Sequence, residues 1–325
     1  MLLLNRNDVM KVLDMAQCME VVEKAFAELA TGTVVMPLRI NFATGEGFAL
    51  YMPAYIKEMG ALACKVVTSY VNNPAKHNLP TIMGKVLLQD PETGGVICIM
   101  DGGYLTAVRT GAVSGVATRY LAREDRGQKV GIFGAGAQAR TQLWAMTIAR
   151  DIASACVYDV NDEAVGRFIA EMAPRLQLDI VKASSPDQVM QEADIICTAT
   201  SSSTPIFDGT KVREGTHVNG VGSHVPKNRE LDTAIIKRSK IIADSYDACL
   251  NEAGDIMIPI QEGAIDKSHL SAELGEVITG KKPGRANTRE ITLFKSNGLA
   301  IQDVAAAKLV YDRAVQAGIG TDAEL

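Results

Sequence analysis

The sequence predicts an α/β protein with a doubly wound parallel sheet and a second, α+β domain. Three observations indicate this fold class. Strand-type residues run through a glycine turn straight into a helical pattern at Val130–Arg140. Strand and helix patterns alternate from residue 128 onward, as they do where crossover helices connect parallel strands. The first ~120 residues instead mix a helix with several short strands.

The N-terminal part begins with a helix and continues with β-type segments. Apolar residues at helical spacing predict a helix over Met15–Ala30, which Gly32 would end. A Pro-Glu-Thr-Gly turn at 91–94 predicts a hairpin, and Gly102–Leu121 has a helical pattern. The predicted strands are Arg39–Phe42, Phe48–Met52, Leu62–Thr68, Gly84–Asp90 and Gly95–Asp101.

The alternating part predicts the parallel sheet. Strands are expected at 129–133, 155–159, 178–182, 194–199, 216–221 and 240–244, with helices such as 137–149 and 161–173. A last strand at 291–295 leads into a helix at 299–317. We therefore predict one domain at 121–295, inserted into a second domain formed by 1–120 and 296–325.

The glycine turn predicts a Rossmann-type dinucleotide site. In the G-x-G-x-x-A pattern, Gly134 makes a tight turn and Gly136 lets a pyrophosphate approach the backbone, while Ala139 packs the helix close to the strand. Asp159 ends the next strand, where a ribose hydroxyl needs an acceptor. Its charge disfavours a 2′-phosphate, so the expected cofactor is NAD and not NADP.

Composition excludes several classes of partner. A net charge of −5 without a basic block argues against nucleic acid and anionic membrane. The apolar start is too short for a signal peptide, and the cysteines lie in apolar runs without a C-x-x-C pattern, so we expect reduced thiols and a cytoplasmic protein. Four histidines without ligand spacing predict no metal site.

Three cations are candidates for binding a substrate. Lys65 interrupts an apolar strand, where lysine is rare unless it is paired or functional. Arg109 lies near the start of a predicted helix, and Arg39 heads a strand. Arginines clamp a carboxylate through two nitrogens, and a buried lysine with a lowered pKa transfers protons. The alternative interpretation is three snorkelling or ion-paired side chains.

Four segments resemble the ornithine cyclodeaminase/mu-crystallin family, in the same order over nearly the whole chain. They are Met100–Ala112, Gly134–Ala139, Val221–Pro226 and Phe294–Asp303. The resemblance implies a dimeric enzyme of two domains that uses NAD(P) to oxidise or reduce a carbon–nitrogen bond. Family activities include ornithine cyclisation with loss of ammonia, alanine dehydrogenation and reduction of imino acids.

The resemblance also implies roles for individual residues. Arg39, Lys65 and Arg109 correspond to the group that holds the substrate carboxylate and handles the proton. Thr81 is similar to the family threonine that faces the nicotinamide end. The implied cofactor contacts are Thr81, Thr110, Gly134, Gly136, Ala137, Gln138, Asp159, Val160, Thr198, Ala199, Thr200, Val221 and Ser296.

One position departs from the cyclodeaminase pattern. Those enzymes have an aspartate two residues before the proline of the G-G-D-x-P segment, and this chain has His224 there. The departure disfavours ornithine cyclisation and leaves hydride chemistry intact. A histidine at this point is a candidate proton donor to an imine, and the alternative is a loop histidine bonded to backbone or water.

Several acidic residues receive simpler interpretations. Asp303 is interpreted as a charge at a helix N-terminus rather than as a contact to a substrate amine. Glu252, Asp255 and Glu262 are interpreted as a solvated acidic surface.

The expected function is an NAD(H)-dependent oxidoreductase acting on the carbon–nitrogen bond of a small amino or imino acid. Alanine dehydrogenase and ketimine or imino-acid reductase fit equally well. The alternatives are an ornithine cyclodeaminase and a crystallin-like protein that binds a small ligand. The expected partners are a carboxylate-bearing substrate and a second copy of the chain.

Overall fold

The computed structural model describes residues 1–324, and the chain divides into two compact units. Unit 1 contains Met1–Thr110 and the segment from Leu299 onward, and unit 2 contains Gly111–Gly298. One unit carries a parallel α/β sheet and the other a mixed sheet with helices, which confirms the predicted fold class.

Unit 1 is built on a mostly antiparallel sheet. Strands β4, β5, β6 and β7 are successive antiparallel neighbours, and β1 pairs with β7 in parallel. The hairpin of β6 and β7 confirms the turn predicted at 91–94. In chain order the elements are β1 (Leu2–Leu4), α1 (Arg6–Val12), α2 (Met15–Thr31), β2 (Val34–Val35), β3 (Ile40–Ala43), β4 (Phe48–Ile56), β5 (Ala61–Ser69), α3 (Asn73–His77), β6 (Ile82–Gln89), β7 (Val96–Asp101) and α4 (Gly102–Leu121).

Helix α2 forms where the apolar spacing predicts it. The Asp14 carboxylate caps its first turn by accepting hydrogen bonds from the backbone N–H groups of Ala16 and Gln17. Residues at helical spacing, such as Met19 and Phe26, are buried, and the helix ends at Gly32. This helix therefore covers part of the core of unit 1.

Unit 2 is a sheet of eight parallel strands in the order β10-β9-β8-β11-β12-β15-β13-β14. All the predicted strands are present, and β14 is an additional short edge strand. In chain order the elements are β8 (Gln128–Phe133), α5 (Ala137–Ala149), β9 (Ile152–Tyr158), α6 (Asp162–Leu176), β10 (Asp179–Lys182), α7 (Pro186–Glu192), β11 (Ile195–Thr198), β12 (His217–Gly220), α8 (Thr233–Arg238), β13 (Ser239–Ala243), α9 (Tyr246–Glu252), α10 (Gly254–Gln261), β14 (Leu270–Glu273), α11 (Leu274–Ile278) and β15 (Ile291–Lys295).

The strand order of unit 2 reverses at β8. The chain passes from β8 to β9 and β10 on one side and then returns to β11 on the other side. Every residue of β11 is buried, as expected for a central parallel strand. Ligands of such sheets bind beyond the carboxyl ends of the strands at the point of reversal. The glycine turn that follows β8 lies at this point.

The last segment of the chain completes unit 1 with α12 (Ala300–Ala317) and β16 (Thr321–Asp322). Helix α12 packs on α2, β4 and β5, and its first turn is buried. Strand β16 pairs with β1 in antiparallel fashion. Helix α12 thus brings residues near position 300 beside strands from the first 70 residues. None of the helices within residues 1–324 is long and apolar enough to cross a bilayer.

Candidate functional site

Lys65 lies on the inner face of β5. Side chains alternate along a strand, so Lys65 shares this face with Ala61 and Ala63, which are also buried. The lysine is only 2% exposed, and its Nζ forms an ion pair with Asp303 Oδ2 at 2.7 Å. Because α12 packs on β5, the ammonium reaches this carboxylate across the core of unit 1.

Arg109 approaches the same carboxylate from α4. Its Nε donates a hydrogen bond to Asp303 Oδ1 at 3.0 Å, and its Nη1 donates to Oε1 of Gln302. The arginine is 5% exposed. Two neighbouring residues of α12 therefore fix the plane of the guanidinium. The resulting group of Lys65, Arg109, Gln302 and Asp303 is called the cation cluster below.

The cation cluster changes the acidity of its lysine. Burial lowers the pKa of Lys65 from its ordinary value to about 8, because a desolvated ammonium is less stable than a neutral amine. The Asp303 carboxylate opposes this shift, while the positive charges of Arg109 and Arg39 add to it. The half-buried Arg39 therefore lies close enough for its charge to act on Lys65.

Asp303 lies in the first turn of α12, as the interpretation of a helix N-terminal charge expects, but this interpretation misses its buried ion pairs. Its side chain is fully buried and is the shared partner of Lys65 and Arg109. A buried lysine and arginine require a carboxylate nearby, since an unpaired buried charge is costly. That requirement is the signal that points to an acidic residue in a buried helix turn. Gln302 gives no comparable signal in the sequence.

Two predicted cofactor residues, Thr81 and Thr110, lie in unit 1. Thr81 precedes β6, is half-buried and accepts a hydrogen bond from the Tyr70 backbone N–H through its carbonyl oxygen. Thr110 is buried in α4, and its hydroxyl donates to the Thr106 carbonyl one turn earlier. Thr106 in turn donates to Asp303 at 3.5 Å.

The glycine turn of unit 2 has the geometry that the sequence predicts. Gly134 has φ of +100°, a conformation that is strained for any other residue. A Cβ at this position would lie 2.5 Å from the carbonyl oxygen of Ala199. Gly134 donates its N–H to the Tyr158 carbonyl at 2.8 Å. Glycine is therefore required here for the backbone path and for the close approach of the loop after β11.

The residues that begin α5 fit a pyrophosphate. Gly136 is the N-cap of α5, and no side chain caps the first turn. A Cβ on Gly136 would meet no atom of residues 1–324 within 4 Å, and Gly136 and Ala137 are exposed. Exposed N–H groups at a helix N-terminus carry partial positive charge and bind phosphates. Gln138 follows in the same turn and is half-buried.

Asp159 directly follows β9 and faces the glycine turn. Its Oδ2 accepts a hydrogen bond from the Ala135 N–H at 2.8 Å, and Oδ1 accepts from the Asn161 N–H at 2.9 Å. Each carboxylate oxygen keeps a second lone pair, so ribose hydroxyls can still donate to it. The adjacent Val160 is 92% exposed.

The remaining predicted cofactor residues lie at the end of β11 and on the loops after β11, β12 and β15. The Val221 N–H donates to the Thr198 carbonyl at 3.1 Å, and the Ser296 N–H donates to the Gly220 carbonyl at 3.0 Å. Thr198 and Thr200 both donate their hydroxyls to Glu230. The structure thus groups these residues with the glycine turn in unit 2.

His224 lies in unit 2 on the loop after β12. Its side chain is exposed, and Nδ1 lies 3.3 Å from the Gly222 carbonyl oxygen. The preceding Ser223 donates its hydroxyl to the Asn228 carbonyl. These contacts shape the loop and leave the ring accessible.

The interpretation of Asp255 as part of a solvated acidic surface is wrong. Asp255 is fully buried, and its Oδ2 forms an ion pair with the buried Lys295 at 3.0 Å. Its Oδ1 accepts from the backbone N–H groups of Glu230 and Leu231. Local polarity in the sequence conceals these buried carboxylates, because their partners are distant along the chain.

Comparison with known proteins relates the chain to one family. The family model of the ornithine cyclodeaminase/mu-crystallin family matches residues 1–318. A Delta(1)-pyrroline-2-carboxylate reductase of Bacillus cereus is 38% identical over 98% of each chain. The solved Delta(1)-pyrroline-2-carboxylate reductase of Thermococcus litoralis, in complex with NADH and L-proline, is 47% identical with a TM-score of 0.96, over 99% of this chain and 100% of that one.

A second solved relative is an archaeal alanine dehydrogenase dimer with bound NAD. It is 36% identical with a TM-score of 0.94, and the match covers 100% of this chain and 99% of that one. The matches extend over both units, and they include the segments that carry the cation cluster and the glycine turn. This protein therefore belongs to the ornithine cyclodeaminase/mu-crystallin family.

Proposed function

We propose that this protein is an NAD(H)-dependent reductase of a small cyclic imino acid, with Delta(1)-pyrroline-2-carboxylate as the first candidate substrate and L-proline as its product. The observation that carries the proposal is the cation cluster, in which two buried cations share a single carboxylate. The two reductase relatives support this substrate class. The residues of the glycine turn support NAD as the cofactor.

Arg109 is the proposed binding group for the substrate carboxylate. The hydrogen bonds that it makes within residues 1–324 go through Nε and Nη1, which leaves Nη2 to meet an anion. The Nε2 of Gln302 is a buried donor without a protein partner in the same part of the chain. An unpaired buried donor is costly, so a ligand oxygen at this place is favourable. Arg39 adds positive charge nearby.

Lys65 is the proposed proton donor. Reduction of C=N to an amine requires a hydride at carbon and a proton at nitrogen, and NADH supplies the hydride when bound. With a pKa of about 8, the Lys65 ammonium is protonated near neutral pH and is acidic enough to release its proton to the substrate nitrogen. Asp303 holds the ammonium in place and stabilises its charge. In the oxidative direction the neutral amine accepts the same proton.

The experiment is an assay of NADH consumption with the purified protein. We expect turnover with Delta(1)-pyrroline-2-carboxylate, with a higher kcat/KM for NADH than for NADPH. Pyruvate with ammonia tests the second candidate, an alanine dehydrogenase, which the archaeal relative favours. Binding of NADH without turnover of any imino or keto acid would reject the enzyme and favour a crystallin-like binding protein.

His224 is proposed as an auxiliary proton donor, and it also separates this proposal from a cyclodeaminase. Its exposed ring on the loop after β12 supports access to a ligand. A cyclodeaminase would release ammonia from ornithine with no net change in NADH. We expect no such release from the wild-type chain, and we expect His224→Ala to lower kcat less than changes at Lys65 do. Ammonia release from ornithine would reverse this order of candidates.

A homodimer is part of the proposal. Apolar side chains are exposed on strands β2 and β3 of unit 1 and on the segment between them, among them Leu38 at 82%, Val35 at 65% and Ile40 at 60%. Such a patch is typical of an interface, and the alanine dehydrogenase relative is a dimer. Light scattering with size-exclusion chromatography is expected to give twice the chain mass. The six free cysteines support a cytoplasmic location.

A further inference from the structure

Glu230 lies behind the two loops at the carboxyl ends of β11 and β12. Its side chain is fully buried and accepts four hydrogen bonds. Oε1 accepts from the N–H and the hydroxyl of Thr200 at 2.6 and 2.7 Å. Oε2 accepts from the Thr198 hydroxyl at 2.8 Å and from the Gly222 N–H at 2.7 Å. One carboxylate thus joins two loops that no local sequence pattern connects.

These two loops contact the glycine turn and each other. A Cβ on Gly134 would lie 2.5 Å from the Ala199 carbonyl oxygen. A Cβ on Gly222 would lie 2.4 Å from both the Thr200 carbonyl oxygen and the Glu230 carboxyl carbon. The glycine turn, the loop after β11, the loop after β12 and Glu230 are therefore stacked in direct contact. A shift of Glu230 would be transmitted to the turn that faces the cofactor.

A second buried carboxylate fixes Glu230 itself. Asp255 accepts the Glu230 N–H at 2.8 Å, and it forms an ion pair with Lys295 at 3.0 Å. Lys295 donates to the carbonyl oxygens of Gly220 and Ser223 at 3.2 and 2.6 Å. Glu230 therefore binds a backbone N–H group at the end of β12, and Lys295 binds backbone carbonyl oxygens of the same segment.

We propose that Glu230 is a positioning residue that fixes the loops at Thr198–Thr200 and Gly220–Gly222 in the conformation that binds NADH. The inference rests on the proposed function, because it requires that unit 2 binds NADH. Glu230 acts through the backbone of these loops. Its loss is therefore expected to weaken NADH binding more than it slows the chemical step at saturating NADH.

The geometry explains why a carboxylate is needed. Each carboxylate oxygen faces one backbone N–H, from Thr200 or from Gly222, and these groups only donate. The amide of a glutamine has one oxygen and one NH₂ group. In either orientation its NH₂ group would face a backbone N–H, so one loop would lose its anchor and be pushed away.

The experiment compares Glu230→Gln with Asp232→Asn. Asp232 is two residues away and accepts the N–H groups of Gly209 and Ile235, which are not on the two loops. NADH binding is measured by fluorescence titration, and Tm by circular dichroism. We expect Glu230→Gln to raise the Kd for NADH about tenfold or more, with kcat at saturating NADH within about threefold of wild type. Asp232→Asn should lower Tm and leave this Kd unchanged.

The outcomes separate this inference from the proposed function. A wild-type protein that does not bind NADH refutes the proposed function. The role of Glu230 is refuted if the wild type binds NADH and the folded Glu230→Gln variant has a Kd for NADH within twofold of the wild-type value. If Glu230→Gln does not fold, hydrogen exchange of the cofactor-free wild type provides the test. The Thr200 and Gly222 amides should then be strongly protected, and rapid exchange at both would reject the inference.

Discussion

Both units bury charged side chains, but the sign of the charge in excess differs between them. In unit 1, Lys65 and Arg109 share the single carboxylate of Asp303. In unit 2, Glu230 and Asp255 are accompanied by one buried ammonium, that of Lys295. One network therefore has an excess of positive charge, and the other an excess of negative charge.

Within residues 1–324, the two networks differ in the partners that surround the buried charges. The carboxylates of unit 2 accept backbone N–H groups, which compensate their burial and tie loops together. The cation cluster keeps an unpaired buried donor, the Nε2 of Gln302. Burial shifts a pKa in both units, since it lowers that of Lys65 and raises that of Glu230. Buried carboxylates that accept backbone N–H groups hold loops in place, whereas an unpaired buried donor favours a ligand oxygen beside it.

The largest effect is expected from replacing the two buried lysines in turn. Lys65→Met should lower kcat/KM for the imino acid by about 10²–10⁴-fold, because it removes the proton donor, and Asp303 keeps Arg109 as its partner. Lys295→Met leaves Asp255 without its cation and should lower the free energy of unfolding by about 3–5 kcal/mol. Steady-state kinetics and chemical denaturation measure both variants.

The proposed difference between a catalytic Lys65 and a structural Lys295 would be contradicted if Lys65→Met lowered the free energy of unfolding but its folded fraction kept the wild-type kcat/KM. NADH binding by Lys65→Met serves as the control, and it should match the wild type because the glycine turn is unchanged.

The next largest effect concerns Asp303 and the pH profile. With Lys65 as proton donor, kcat/KM for reduction should be level at neutral pH and decline as pH rises through about 8, where the ammonium deprotonates. Asp303 raises the pKa of Lys65, so Asp303→Asn should move the decline to lower pH. We also expect Asp303→Asn to lower kcat on the order of 10²-fold, because Lys65 and Arg109 lose the carboxylate that orders their side chains. If kcat/KM of Asp303→Asn declines at the same pH as that of the wild type, Lys65 is not the titrating group.

A smaller effect should separate two glycines of unit 2. Gly134→Ala places a side chain against the Ala199 carbonyl oxygen at positive φ, so it should cost about 1–3 kcal/mol of stability and weaken NADH binding. The Cβ of Gly136→Ala meets no atom of residues 1–324 within 4 Å, so the Tm of this variant should be unchanged while its Kd for NADH rises about tenfold. Thermal melts with and without NADH measure both effects. An unchanged Kd for NADH in Gly136→Ala would show that the pyrophosphate does not bind at the N-terminus of α5.

The smallest effect is expected at Asp159. Asp159→Asn removes the charge that is expected to repel a 2′-phosphate. Its single amide oxygen accepts only one of the backbone N–H groups of Ala135 and Asn161, so both cofactors should bind more weakly. The ratio of kcat/KM for NADPH to that for NADH should rise about 3–5-fold, the scale of an exposed charge interaction. Parallel assays with both cofactors measure this ratio. An unchanged ratio would show that another residue sets the cofactor preference.

Prediction from sequence succeeded where partners are close along the chain. The glycine turn depends on the order of small residues between β8 and α5, so its position follows from a few neighbours. Strand β14 was not predicted, because its four residues carry little apolar pattern. Lys65 was identified as unusual because a lysine in an apolar strand conflicts with local expectation. Its role, like those of the other candidate site residues, stays a prediction.

The sequence by itself determined the alternation of strands and helices, the glycine turn and the family. Each of these is set by local periodicity or by a short run of residues. Only the tertiary structure decided the partners of the buried charges. Asp303 is 238 positions from Lys65 by their numbers, and Asp255 is likewise 40 positions from Lys295. The free energy of a buried charge depends on the groups that folding brings around it, and the chain's own order does not contain that information.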